Sequence, residues 1–279
     1  ALGLELHVDR RVLVPRPETE LLVDWVLEEL AGPRKQLAWE DEGAAGQGAS
    51  PLTSESERAE PVVVLDDATL AATDVEGERA EPVAGPDDGL GPRRAERGTP
   101  PPAMTPAPPD ERAVLDVGTG SGAIALALKH ARSTLRVTAC DVSEDALAVA
   151  RDNAERLGLA IALVRSDLLS DVPTPAAGWA VITANLPYIP EPVWRTLAPE
   201  VQRFEPRLAL EGGADGLALI RRLVAAAPAH LAPGGALYLE IGYDQGESVP
   251  ALLAAHGFVD VTVRKDYAGH PRIVRGRRS

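Results

Sequence analysis

Between Ala113 and Ala255, short apolar runs alternate with segments whose apolar residues recur at helical spacing. No other feature limits the fold of this chain as strongly. Ala113–Val117, Arg136–Cys140, Ile161–Arg165, Trp179–Ala184 and Ala236–Ile241 read as strands. Gly122–Ala131, Glu144–Leu157, Leu217–Leu231 and Glu247–Ala255 read as the intervening helices, the second ended by Gly158 and the third by Pro233-Gly234-Gly235. Val259–Lys265 and Ile273–Arg275, split by a turn at Gly269, read as two late strands. Strands that alternate with helices pair in parallel through right-handed crossovers. The expectation is an α/β fold: a mostly parallel seven-stranded sheet, helices on both faces and a C-terminal antiparallel hairpin.

Ahead of this block, Leu21, Leu22, Trp25, Val26 and Leu30 share one helical face, which predicts a helix over Glu18–Leu30, stopped by Gly32-Pro33. Residues 33–110 differ from the rest of the chain. Between Pro33 and Arg112 lie 12 of the 25 prolines, and 17 acidic against 8 basic residues give this stretch -9 of the chain's -14. Such a composition cannot bury enough apolar area to offset chain entropy, so the insert is expected to be disordered, with Val62–Leu65 as one strand candidate. Without it the chain is only mildly acidic, so charge argues weakly against nucleic acid. Arg275, Arg277 and Arg278 form a dense basic run that reads as a solvated tail. The single cysteine, Cys140, excludes an internal disulfide and a cysteine-rich zinc cluster, no metal site is expected, and its apolar neighbours place it in a buried strand. No stretch reaches the roughly 20 apolar residues of a membrane span and no signal peptide opens the chain, so a cytoplasmic location is expected. The start at Ala1 reads as a longer protein whose N-terminus is absent.

The first strand runs straight into Gly118-Thr119-Gly120-Ser121-Gly122 and a helix. A glycine-rich strand-to-helix turn admits a ligand close to the backbone and aims helix N-terminal amides at it. Gly118-x-Gly120-x-x-Ala123 also fits a dinucleotide fingerprint, so the loop alone leaves the cofactor open. Asp141 ends the second strand, where a carboxylate can accept both hydroxyls of a ribose; Ser143 is the better helix cap. Asp167 and Leu168 follow the third strand, and a carboxylate there can accept an adenine amino group or simply cap a loop. Two successive acidic strand ends suit an adenosyl ligand.

The fourth strand ends in Asn185-Leu186-Pro187-Tyr188. This resembles the Asn/Asp-Pro-Pro-Tyr signature of methyltransferases acting on planar amino groups: glutamine amides, adenine and cytosine. The lone pair of such a nitrogen is delocalised. The Asn185 side-chain oxygen and the carbonyl of residue 186 can each accept one N–H bond and so favour a tetrahedral nitrogen over the flat ground state. Tyr188 can cover the flat group and Pro187 stiffens the turn.

Further blocks carry a closer resemblance. Val14-Pro15-Arg16-Pro17-Glu18-Thr19-Glu20, the run Glu205 to Leu217, Glu240-Ile241-Gly242 with Gln245-Gly246, and Asp266 with Gly269 and Arg272 are similar in order and spacing to the release-factor glutamine methyltransferases (the PrmC/HemK family). The resemblance covers residues 1–32 and 111–276. It implies a Rossmann-like class I methyltransferase domain at 111–279, S-adenosyl-L-methionine as cofactor held by Gly118 to Gly122, Asp141, Asp167, Leu168 and Asn185, and peptide-chain release factors as the protein substrate. Asn185, Leu186, Pro187 and Tyr188 would hold the glutamine of the Gly-Gly-Gln loop. Residues 1–32 would supply a hairpin or linker and the first helix, and the family's N-terminal substrate-recognition domain is missing from this sequence. Leu186 replaces the usual first proline. Asn-Leu-Pro-Tyr is also the form in enzymes that dimethylate adenine in ribosomal RNA, so adenine-N6 methylation of RNA or DNA stands as an alternative, as does glutamine methylation of a ribosomal protein.

Overall fold

The computed structural model describes residues 3–31, 112–197 and 205–279. The insert at 33–110, with its strand candidate Val62–Leu65, lies outside the described residues. Five strands form the parallel part of the sheet: β1 (Ala113–Val117), β2 (Arg136–Asp141), β3 (Ala162–Arg165), β4 (Trp179–Ala184) and β5 (Leu231–Glu240). They are followed by β6 (Phe258–Lys265) and β7 (Pro271–Arg278). The order is β3-β2-β1-β4-β5-β7-β6, with β7 antiparallel to both of its neighbours. The expected terminal hairpin is therefore present, and its second strand is the one inserted against β5.

The helices are α1 (Pro17–Ala31), α2 (Ala123–Ala131), α3 (Glu144–Leu157), the single turns α4 (Glu191–Trp194) and α5 (Arg207–Leu210), then α6 (Ala218–His230) and α7 (Ser248–Ala255). Strand alternation sorts the core into two layers. Leu115, Val117, Ile182, Leu237 and Leu239 face α6 and α7, while Val114, Val181, Ala236 and Tyr238 face α1 and α2. The central strand β1 is buried at every position, as a strand covered on both faces must be.

Local signals set several element ends. Ser143 caps α3 by accepting the Ala146 N–H at 3.2 Å, and Gly158 at φ 64° closes it. Helix α1 buries Leu22, Val23, Trp25, Val26 and Leu30; Leu21 is only partly buried. Trp25 meets Tyr238 edge-on at 5.4 Å, with the Arg264 guanidinium 4.3 Å from its ring centroid.

Two expectations change. Arg275, Arg277 and Arg278 are not a solvated tail. They belong to β7, where Arg275 and Arg277 pair with Glu29 of α1 and Arg278 bonds the Leu231 carbonyl. An acidic helix face neutralises the run, which lets the strand continue three residues beyond Arg275. Strand β5 starts at Leu231, because pairing with β4 resumes across a register shift in spite of Pro233-Gly234-Gly235. Ahead of α1, residues 3–16 hold a turn closed by Val12 N–H donating to the Asp9 carbonyl at 3.1 Å. Among the described residues no helix is long and apolar enough to cross a membrane, and no cluster of three His, Cys, Asp or Glu is placed to hold a metal ion.

Candidate active site

The strand order reverses direction at β1, with β2 on one side and β4 on the other. Ligands of open α/β sheets bind outside the C-terminal strand ends at such a switch point. The register makes this specific. Val117 pairs with both Cys140 and Ala184, and Ala184 pairs with Leu239. Gly118, Asp141, Asn185 and Glu240 therefore leave adjacent strands side by side. A cavity of about 360 Å3 opens there, lined by the glycine loop, Asp141, Leu168 and Asn185 among others.

The glycine loop folds back over β2. Gly118 N–H and Thr119 N–H both donate to the Cys140 carbonyl, at 2.9 and 3.0 Å. Gly118, Gly120 and Gly122 have φ of 69°, 55° and 84°, a region that side chains avoid. A Cβ at Gly120 would meet nothing within 4 Å, so the loop presents bare backbone to open space. Asp141 Oδ2 accepts the Gly120 N–H at 3.0 Å, and Oδ1 accepts the Ser143 N–H at 2.9 Å. The carboxylate thus ties the loop to the start of α3 and stands at the cavity wall. Pocket volume, bare glycine backbone and a carboxylate at the second strand end fit an adenosyl ligand.

Beneath the loop lies a residue that sequence reasoning had passed over. Asp116 is 1% exposed, on the α1/α2 face of β1. Its Oδ2 accepts the Thr119 hydroxyl at 2.6 Å and its Oδ1 the Thr183 hydroxyl at 2.8 Å. Burial pushes its pKa up to about 6, against the pull of those two hydroxyls. The available signal was an acid inside an otherwise apolar strand.

Asn185, Leu186 and Pro187 line the cavity's other end, and Tyr188 follows them with its side chain packed against the core. The Asn185 Nδ2 donates to Thr19 Oγ1 at 3.4 Å, and Thr19 Oγ1 donates to Glu240 Oε2 at 2.8 Å. Asn185 Oδ1 and the Leu186 carbonyl accept no hydrogen bond among the described residues. Leu186 is 4% exposed, and its Cδ2 would stand 2.9 Å from a Cβ on Gly118. Its side chain packs against the glycine loop, and its backbone is left to the site. Burial raises the Tyr188 phenol pKa, with Glu240 adding to the effect.

The remaining family blocks turn out to be scaffolding for this loop. Gly212 N–H donates to the Ile189 carbonyl and Ile189 N–H to that of Leu210, at 2.9 and 3.0 Å. A Cβ on Gly212 would lie 2.5 Å from the Pro187 carbonyl oxygen, and one on Gly216 would lie 2.2 Å from that of Tyr188. Two backbones touch here, and only glycine allows it. Gln245, 4% exposed, donates to the carbonyls of Tyr188 and Gly216 at 3.3 and 3.2 Å and accepts the Gly242 N–H at 3.0 Å. Asp266 accepts the Ala268 and His270 N–H groups at 3.0 and 2.9 Å and holds Arg272, whose Nη1 donates to the Ile241 carbonyl at 3.3 Å. Asp167 and Leu168 line the cavity, where Asp167 Oδ2 accepts Arg222 at 2.7 Å and Leu168 takes the rare φ of 55°. The N-terminal segment closes one side. Arg11, Val12, Leu13 and Pro15 line the cavity, and Asn153 clamps the segment by bonding the His7 N–H and carbonyl at 2.7 and 2.9 Å and the Ser121 carbonyl at 3.0 Å. Cys140 is fully buried in β2, and its thiol pKa is pushed up to about 12 by burial.

Residues 114–204 match the family model of a methyltransferase domain. The release factor glutamine methyltransferase of Geobacter sulfurreducens is 41% identical over 169 residues, 61% of this chain and 59% of that protein. That of Moorella thermoacetica is 46% identical over 59% of this chain and 58% of its own length. That of Chlorobaculum tepidum is 35% identical over 95% of this chain and 67% of its own length. This chain thus spans somewhat more than half of the length of most of these relatives. With the glycine loop, the Asn185 loop and the blocks that brace it all at one edge of the sheet, and with a 35% identical relative that matches 95% of this chain and is itself covered over 67% of its length, the chain belongs to the release factor glutamine methyltransferase family.

Proposed function

We propose that this chain methylates the side-chain amide nitrogen of the glutamine in the Gly-Gly-Gln loop of peptide-chain release factors, with S-adenosyl-L-methionine as donor. One observation carries the reading. The Asn185 amide commits its N–H side to Thr19 and leaves Oδ1 beside the cavity, next to the open Leu186 carbonyl. Two acceptors one residue apart suit a substrate group with two N–H bonds.

The Gly118 to Gly122 backbone and Asp141 would hold the cofactor's polar end and ribose, with Asp167 and Leu168 at its base. When bound, the cofactor supplies a methyl group activated by a sulfonium charge. The protein's residues do the rest. Asn185 Oδ1 and the Leu186 carbonyl draw the substrate's two N–H bonds out of the amide plane, which localises the nitrogen lone pair. The Tyr188 ring covers the flat group, and Gln245 together with the Gly212 and Gly216 contacts keeps the loop from relaxing. The nucleophile is the substrate nitrogen itself; it would take the methyl group as the carbon–sulfur bond breaks to leave a neutral thioether, and would shed one of its two N–H protons to water, so the chemistry asks for placement more than for a protein base.

The test is transfer of a labelled methyl group to a purified bacterial release factor or to unmodified ribosomal RNA, followed by mass mapping. Label on the Gly-Gly-Gln glutamine is expected. Label on adenine alone would overturn the reading in favour of a nucleic-acid substrate. Against that alternative stands the pairing of Arg275 and Arg277 with Glu29, which neutralises the dense basic run.

A further inference from the structure

An asparagine amide has two nearly identical ends, and only one can accept a substrate N–H. Turned over, Asn185 would oppose donor to donor. Something in the fold must fix its orientation. Thr19 Oγ1 stands 3.4 Å from Asn185 Nδ2 and 2.8 Å from Glu240 Oε2, and the Asn185 amide also faces the Glu240 carboxylate. Thr19 is 6% exposed and Glu240 is 2% exposed. An ionised carboxylate only accepts. The Thr19 hydroxyl proton is therefore committed to Glu240, and its lone pairs are left to Asn185 Nδ2.

Glu240 has no evident role in stability. Its strand neighbours Tyr238, Leu239 and Ile241 are fully buried apolar groups, and its own face of the sheet packs against α1. An apolar residue there would avoid the cost of burying a carboxylate. The register that sets Ala184 beside Leu239 brings Glu240 level with Asn185, and Thr19 enters from α1, 221 residues away in sequence from Glu240. Arg272, fixed by Asp266 and the Ile241 carbonyl, stabilises the charge.

We propose that Thr19 and Glu240 are positioning residues: a buried carboxylate–hydroxyl relay that holds the Asn185 amide with Oδ1 toward the substrate nitrogen. The assignment rests on the reading of Asn185 as the acceptor of a substrate N–H. When Glu240 takes up a proton its carboxyl becomes a donor, the Thr19 hydroxyl is released to turn, and the preference at Asn185 is lost. Burial pushes the Glu240 pKa up to about 7, within reach of an assay. The groups that face it are Glu18 and Thr19 from α1, Asn185 and Tyr188 after β4, and Arg272 from β7.

The experiment measures single-turnover methyl transfer to a release factor from pH 6 to 9, with S-adenosylmethionine affinity measured separately by calorimetry. Wild type should gain rate as pH rises through about 7. Glu240→Gln should lose about tenfold or more in turnover, keep its cofactor affinity and lose that inflection. A misdirected reacting contact costs on this scale. Thr19→Val should lose about tenfold at pH 8, and Thr19→Ser, which keeps the hydroxyl, should restore most of it. Wild-type turnover that is flat from pH 6 to 8 overturns the relay, even if every variant fails to fold. Thr19→Val and Glu240→Gln at wild-type rates, alongside an inactive Asn185→Ala, overturn the relay and leave the proposed function standing. Asn185→Ala at the wild-type rate overturns the relay together with the reading of Asn185 as the acceptor of a substrate N–H.

Discussion

Asp116→Asn tests the buried carboxylate under the glycine loop by its effect on stability. The folded pKa of about 6 lies above the ordinary carboxyl value of 3.8 that holds in the unfolded chain. A raised folded pKa means that the acid's contribution to stability is fully present below pH 3.8 and is lost as pH rises through about 6. The gap of roughly two units, at 1.36 kcal/mol each, amounts to about 3 kcal/mol at pH 8. At pH 4 most of that loss has not yet occurred. The asparagine has the same shape, can still accept a threonine hydroxyl and does not titrate. Urea unfolding of both proteins at pH 4 and pH 8 gives the assay. All other carboxylates titrate alike in the two proteins and cancel in the difference. The mutant should gain about 2 kcal/mol on the wild type between pH 4 and pH 8, an order-of-magnitude figure. A difference that stays constant across this range would refute the reasoning, because Asp116 would then be ionised equally in the folded and unfolded chains.

Other outcomes follow from the same geometry. Asn185→Ala should leave cofactor affinity nearly unchanged in calorimetry and cut turnover about 100-fold or more, the scale of removing one preorganised polar contact. Gly216→Ala adds a Cβ 2.2 Å from the Tyr188 carbonyl oxygen at φ 76°. It should cost at least about 1–2 kcal/mol in unfolding free energy from backbone strain alone, and displacement of the Asn185 loop should lower turnover more than cofactor affinity. Removal of residues 36–106 should leave cooperative thermal unfolding and cofactor binding intact, since the Arg112 side chain bonds the Leu30 carbonyl and keeps the two ends close. A loss of cooperative unfolding would show that the sheet's core depends on that segment.

The elements legible in the sequence are those whose determinants are local. Helix α3 is delimited by its own Ser143 cap and Gly158, and the edges of β4 by its apolar run, so both match the expected bounds. Where partners come from afar, the sequence misleads. Arg275 to Arg278 look like a tail until Glu29 of α1 lies beside them, and Pro233-Gly234-Gly235 looks like a stop until β4 supplies a partner strand. The same division runs through the site. Gly118 to Gly122 and Asn185 to Tyr188 declare themselves because a turn of positive φ and a strand-end loop are short-range features. Asp116 does not, and Thr19, Glu240 and Gln245 stand out only as members of blocks similar to a family, with no role attached. Each is an ordinary polar residue in sequence, and its role comes from burial and from hydrogen bonds to residues on other elements, such as the one from Thr19 to Glu240. The strand–helix alternation, the glycine loop and the Asn185 to Tyr188 motif are readable from residue order alone, because backbone conformation and residue chemistry are written locally. The direction of the Asn185 amide and the raised pKa values of Asp116 and Glu240 emerge only on folding, because both depend on partners that the sheet register brings together and on the water that packing excludes.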